Sequence, residues 1–366
     1  MKIASIESFT DEKARLGVVR VQTDDGAEGY GEMAHGNADI SAMVLHRQVA
    51  PLVLGADPLD ADGLSERVIE QSYKFPGSYV CRALAGVDTA LWDLRGKMEG
   101  KSVCALLGGG RKRVAVYGSS MQRDTRPEEE AEKILRAREW GGFGAFKLKI
   151  GKRLGHGEDE WPGRTESVVR AVRKAVGEKV PLLVDANSGY TPAKAIEVGR
   201  VLEEQGVCHF EEPCPYWELE QTAEVAAALE VPVGGGEQDT DLAQFRRMIR
   251  MGAVDIVQPD VCYVGGLSRA LRVAAMAADA GLPITPHSPG GSGSMIRVFT
   301  LHYVAAIGNA GPFMEYSIEP GGQKTGLYEP VLLARDGELE VPEGPGWGVT
   351  IRAEWLAAAT RTVSEA

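Results

Sequence analysis

The chain has 366 residues, 44% of them apolar and 25% charged, a globular composition that excludes a disordered or fibrous protein. With 40 Lys plus Arg against 52 Asp plus Glu the formal charge is −12, so neither a nucleic-acid backbone nor an anionic membrane surface is the expected partner. No apolar run reaches the length of a membrane span, and the opening MKIASIESFTDEKARLG lacks the basic and apolar regions of a secretory signal. Five scattered cysteines (Cys81, Cys104, Cys208, Cys214, Cys262) do not make a disulfide framework, and a reduced, cytoplasmic protein is expected.

Residues 1–112 read as an N-terminal α+β capping domain. MKIASIESF and LGVVRVQTDDGAEGYGE are predicted strands with turns at Asp11-Glu12 and Asp25-Gly26, and three helices follow, including SYVCRALAGVDTALWDLRGKME (78–99). From about Val114, short apolar runs alternate with amphipathic stretches. The runs are 114–120, 145–150, 181–187, 207–213, 231–237, 254–260, 282–288 and 311–317. Between them lie predicted helices such as 126–141 and 191–206, the latter ending at a C-cap glycine, Gly206. Eight such β-then-α repeats predict an α/β protein with a (β/α)8-type barrel over residues 113–318. An open doubly wound sheet would carry a glycine-rich phosphate turn after its first strand, and GSSMQRD (118–124) is not one. Residues 319–366 continue no repeat. Their PEGPGWG stretch and short AEWLAAAT helix predict a segment that returns to pack on the cap.

Catalytic groups of such barrels sit at the C-terminal strand ends. There the second run carries Lys147 and Lys149, the third Asp185 and Asn187, the fourth Glu211-Glu212, the fifth Glu237, the sixth Asp260, the seventh His287 and the eighth Glu315. Residues two apart share a face, so Lys147 and Lys149 point together, as do Asp185 and Asn187, whereas only one of Glu211 and Glu212 can face inward in a regular strand. Asp185, Glu211 and Glu237 are spaced 26 residues apart, one β-α unit each. Three converging carboxylates repel unless a cation neutralises them, and an all-oxygen set suits Mg²⁺. Lys147 and Lys149, by mutual repulsion, would lower a lysine pKa toward that of a general base. His287 has Asp260 on the neighbouring strand to fix its tautomer. Together these groups describe proton abstraction beside a carboxylate, the metal and a lysine stabilising the enediolate that develops. His209, one layer below Glu211, is expected to be a core residue.

The ordered pattern KxK, DAN, FEEP, GE, QPD and TPHS resembles the enolase superfamily, specifically its mandelate racemase subgroup, across essentially the whole chain. The resemblance implies Asp185, Glu211 and Glu237 as metal ligands and Lys149 as the base on one face. It implies Lys147 as the neighbour touching the substrate carboxylate, and His287 with Asp260 as the dyad on the opposite face. Glu315 matches an acid that hydrogen-bonds a carboxylate oxygen in its protonated form. The muconate lactonising branch fits less well, because it has a second lysine where this chain has Asp260-Val261-Cys262-Tyr263. A symmetric homo-oligomer is also implied.

The expected function is that of a Mg²⁺-dependent acid-sugar dehydratase, which removes the α-proton, expels the β-hydroxyl and yields a 2-keto-3-deoxy acid. Racemisation or epimerisation of an α-hydroxy acid, or cycloisomerisation of a sugar-acid lactone, would use the same bases. A non-catalytic binding protein would explain the acid triad but not Lys149 together with the His287–Asp260 pair. A polyhydroxylated acid also needs polar contacts, for which Asn187 and, in the cap, Lys13, Arg15, His35, Tyr73, Lys74 and Arg82 are the candidates. The long loop GKRLGHGEDEWPG (151–163) lies at the active-site end and is either a substrate contact or a surface insertion.

Overall fold

The N-terminal runs form β1 (Ile3–Thr10), β2 (Gly17–Thr23) and β3 (Glu28–Met33), an antiparallel meander in the computed structural model, which describes residues 1–13, 15–288, 293–320 and 326–366. Helices α1 (Ala38–Val44), α2 (Ala50–Val53), α3 (Ala61–Gln71) and α4 (Ser78–Glu99) follow. In α4 the apolar residues Val80, Leu84, Val87, Leu91 and Leu94 recur at helical spacing, and Gly100 ends the helix in the left-handed conformation (φ 64°). This helix lies directly on the sheet. A Cβ at Gly31 would stand 2.3 Å from the Gly86 carbonyl oxygen, so only glycine permits the approach. Val19, Val21, Met33, Leu45, Val49, Leu84 and Leu91 fill the core between them.

After α5 (Val103–Leu106), the repeats alternate as read. The strands are β4 (Arg113–Ser119), β5 (Phe146–Lys149), β6 (Leu182–Asp185), β7 (Val207–Glu211), β8 (Val233–Gly235), β9 (Ile256–Val257) and β10 (Met314–Ser317). The intervening helices are α6 (Pro127–Gly141), α7 (Arg164–Val176), α8 (Pro192–Glu204), α9 (Leu219–Ala228), α10 (Leu242–Arg250), α11 (Leu267–Asp279) and α12 (Ile296–Ala306). Neighbouring strands run parallel, and β10 pairs with β4, as a barrel requires. The seventh predicted strand is reduced to bridges at Ile284, which pairs with Val257 on one side and Ala310 on the other. Pro283 and Pro286 flank it and donate no N–H, so an extended ladder cannot form there.

The last segment contributes β11 (Tyr328–Glu329), β12 (Glu338–Glu340), β13 (Thr350–Ile351), α13 (Ala353–Ala358) and β14 (Thr360–Glu365). β12 adds antiparallel to β4, and β14 adds antiparallel to β1, giving a cap sheet of order β14-β1-β2-β3. Two buried cap acids join the two layers: Glu32 of β3 accepts from the Met295 N–H just ahead of α12, and Asp88 of α4 accepts from the Ser268 N–H at the start of α11. Among the described residues no helix is long and apolar enough to cross a membrane.

Candidate active site

Strand register brings the ionisable ends level. Lys149 pairs with Asp185, and Asp185 with Glu211. Neighbouring strands lie about 4.8 Å apart, so these inward side chains must meet. Lys149 Nζ donates to Asp185 Oδ2, while Lys147 Nζ donates to Glu211 Oε2 and Glu315 Oε1, each at 2.8 Å. All five groups are buried. Burial alone would lower the Lys147 pKa, but Glu211 and Glu315 outweigh it and hold it well above the usual lysine value. The expectation that repulsion from Lys149 depresses it is thereby corrected: two carboxylates flank Lys147, and they decide its charge.

Glu315 also departs from expectation. Burial pushes its pKa up, yet Lys147, His287 and Lys149 bring it down to about 2. It accepts from Ser119 Oγ (2.8 Å) and from the Ser288 N–H (3.1 Å), so it is an ionised acceptor and not a protonated donor. Glu211 is raised to about 8 by burial and by Asp185.

His287 Nδ1 lies 2.7 Å from Asp260 Oδ2, and the other Asp260 oxygen accepts from the N–H groups of Cys262 (2.7 Å) and Tyr263 (2.9 Å). The carboxylate is thus fixed, and it fixes the ring. His287 Nε2 is left facing Glu237 Oε2 at 3.6 Å. Burial lowers the imidazole pKa, but Glu237 and Asp260 raise it to about 9. His209 is buried in the barrel and pairs with Gln258 Oε1 at 3.2 Å. A side chain at Gly234 would collide with both, so that pair is a packing feature.

Among the described residues, no three carboxylate, imidazole or thiol groups stand close enough to share a cation. Asp185 and Glu211 are turned to the lysines, and Glu237 to His287 and to Gln238 Nε2 (2.9 Å). The donor set nevertheless suits a hard divalent ion. It is all oxygen, deeply buried and mutually repulsive, and Glu211 Oε1 has no hydrogen-bond partner.

Three participants escaped sequence reading. Glu212 was expected to point away from Glu211, yet its φ of +42° breaks the alternation. Its buried carboxyl is raised well above the ordinary value by burial and by Glu237, Asp185 and Glu211, and Oε1 is unpartnered. Arg123, on the loop after β4, reaches Asn187 Oδ1 at 2.5 Å. Asn187 in turn donates through its backbone N–H and its Nδ2 to the two Asp185 oxygens, at 2.7 and 3.0 Å. Tyr263 lies between His287 and the cap, with ring centroids 5.7 Å from His287 and 5.9 Å from His35. A basic residue in the 118–124 segment was the only sequence signal for Arg123, and its partner is 64 residues away.

The cap candidates divide. Arg82 stacks on Tyr263 at 3.8 Å, and His35 lies beside the same ring, with Arg15 close enough to act on its charge. Tyr73 and Lys74 are exposed after α3 and contact each other, with no contact to the strand-end groups among the described residues, so solvent is their environment. Lys13 is exposed on the turn after β1. In the 151–163 loop, the Leu154 and Gly157 N–H groups bond to the carbonyls of Asn187 and Gly189.

The barrel thus carries Lys147 and Lys149 on one side of its buried carboxylates and the His287–Asp260 pair on the other, with an α+β cap packed against it. Residues 3–108 match the mandelate racemase / muconate lactonizing enzyme N-terminal domain, and residues 129–355 the enolase C-terminal domain-like family. The chain therefore belongs to the enolase superfamily, in its mandelate racemase group. An arabinonate dehydratase of Saccharolobus solfataricus is 33% identical over 95% of this chain and 91% of its own length. A D-galactarolactone cycloisomerase of Agrobacterium fabrum is 34% identical over 94% and 91%. A solved structure from Roseobacter denitrificans, provisionally described as a racemase, is 51% identical with TM-score 0.96, both chains covered completely.

Proposed function

We propose that this protein is a Mg²⁺-dependent acid-sugar dehydratase. The observation that carries the reading is the placement of Lys149 and the His287–Asp260 dyad around one buried group of carboxylates. Asp185, Glu211 and Glu237 would hold the ion, which when bound supplies charge stabilisation to the substrate carboxylate. Lys147 binds that carboxylate. Lys149 removes the α-proton, leaving an enediolate, and His287 Nε2 delivers a proton to the departing β-hydroxyl while Asp260 holds Nδ1. The product is a 2-keto-3-deoxy acid. Asn187, with Oδ1 occupied by Arg123, offers the substrate a donor only.

Relatives named as dehydratase and cycloisomerase of acid sugars support an acid-sugar substrate and keep cycloisomerisation as the second reading. We further propose a functional division into a cap (1–112), a barrel (113–318) and a returning segment (319–366), in a cytoplasmic homo-oligomer. The test is incubation with Mg²⁺ in D₂O against mono- and diacid sugars, followed by proton NMR. Loss of the α-proton with a new deuterated methylene is the expected result. Exchange with inversion and no methylene would replace dehydration by racemisation.

A further inference from the structure

The alternation that brings the strand-end groups to one mouth of the barrel also sets the layer beneath them. Two residues before Asp185, Glu211, His287 and Glu315 stand Leu183, His209, Thr285 and Phe313, and two before Ser119 stands Tyr117. Bulky branched side chains ordinarily fill such layers. Here Tyr117, Ala145 and Leu183 pack with Phe313 in a small cluster of their own, and Ala145 contributes only a methyl group. Tyr117, Leu183, His209, Thr285 and Phe313 line a cavity of about 300 Å³. It opens among the residues that lead into β6 and β7, at the end of the barrel opposite the ionisable groups. His209 and Thr285 supply polar atoms to otherwise largely apolar inner walls, and both are buried. His209 Nε2 lies 3.2 Å from Gln258 Oε1; a hydrogen bond there puts the proton of the neutral ring on Nε2 and leaves Nδ1 an acceptor. Nδ1 has no hydrogen-bond partner among the described residues and is not sealed off by protein atoms. The exposed rim carries Glu178 and Lys179, one charge of each sign, so it selects no ionic ligand.

We infer that this floor cavity is a second ligand site, separate from the substrate site, and that it takes a small neutral molecule with one planar apolar ring and a hydroxyl donor, of the size of phenol. The ring packs among Tyr117, Leu183 and Phe313, and the hydroxyl donates to His209 Nδ1. A cavity of this volume holds such a ring, and an acid sugar finds no group there to match its charge. The two sites share a wall, since Lys147 Nζ lies 5.4 Å from the centre of the Tyr117 ring.

The test titrates the full chain at pH 8 with phenol and with toluene, its methyl isostere, by calorimetry. Phenol should bind saturably at one site. The phenol-to-toluene affinity ratio should exceed the ratio of their water-to-cyclohexane partition coefficients by at least about 10-fold, because cyclohexane offers the hydroxyl no acceptor. Cys208 lies on the rim and is the one exposed cysteine of the five, so phenol should slow its modification by a thiol reagent. Leu183→Trp, which fills the cavity, should abolish both effects; Phe313→Trp, at a half-buried position, does the same should the first variant not fold. No saturable binding by wild type, or binding and Cys208 protection that persist in the filled variant, overturns the site and leaves the cavity to water. A ratio equal to that of cyclohexane overturns the assignment of His209 as acceptor. None of these readouts depends on turnover, so failure of the dehydratase reading leaves the test intact.

Discussion

Replacing Glu32 by glutamine should stabilise the protein at alkaline pH and do little in acid. The Glu32 side chain is fully buried between cap and barrel. Burial raises its carboxyl from 4.5 to about 7, opposed by Ser294 and the Met295 N–H, and Oε1 has no partner. A folded-state value above the unfolded one means that the native protein binds this proton more tightly. Its stabilising effect is complete below pH 4.5 and is lost as pH rises through 7. The displacement corresponds to about 3 kcal/mol. Glutamine keeps an acceptor for Met295 and carries no charge, so the variant should gain up to that amount at pH 8.5, about 4 °C in Tm for a chain of this length, and about nothing at pH 4.5. Thermal unfolding of both proteins across pH 4.5–8.5 measures it, and subtracting the curves removes every other titration. A difference independent of pH, or a variant less stable at pH 8.5, would refute the assignment. Asp88, raised by burial to about 7 in the same seam, should behave alike as Asp88→Asn.

Other substitutions probe the site itself. Lys149→Ala should lower turnover about 10²- to 10⁴-fold with Mg²⁺ binding retained by calorimetry, and unchanged turnover would remove the proposed base. Arg123→Met should weaken Mg²⁺ affinity about 10- to 100-fold at unchanged Tm, because it frees the Asn187 amide that orients Asp185; equal affinity would make Arg123 a packing residue only. Asp260→Asn should cut dehydration by up to about 10⁴-fold by releasing the His287 tautomer, which steady-state assays will show. Chelation with EDTA should abolish turnover and added Mg²⁺ restore it; activity that survives chelation contradicts the metal-dependent reading.

Repetition made the barrel legible, since an ionisable residue recurs at the end of each predicted strand from the second to the eighth, and α4 was readable because its apolar stripe and closing glycine are both local. What escaped was settled by partners distant in sequence. Alternation assigned Glu212 outward, but a left-handed residue at the strand end turns it into the acid cluster. Neighbouring charge suggested a depressed Lys147, whereas Glu211 and Glu315, on other strands, control it. Arg123 belongs to no motif and acquires meaning only from Asn187. Strand β14 is short, mostly exposed and follows a helix, so its signal was weak without β1 beside it.

That last strand has a bearing on assembly. Residues 360–365 pair with residues 5–10, so the cap sheet draws on segments from before and after the barrel. That sheet cannot be completed until the barrel residues have left the ribosome, and closing so long a loop is entropically costly unless the barrel has already brought the two segments together. Until then β1 presents an unpaired edge, a template for association with other chains. The order of synthesis thus begins the cap sheet before the barrel and finishes it afterwards, and the last hydrogen bonds between β14 and β1 report that the barrel encoded between them has formed.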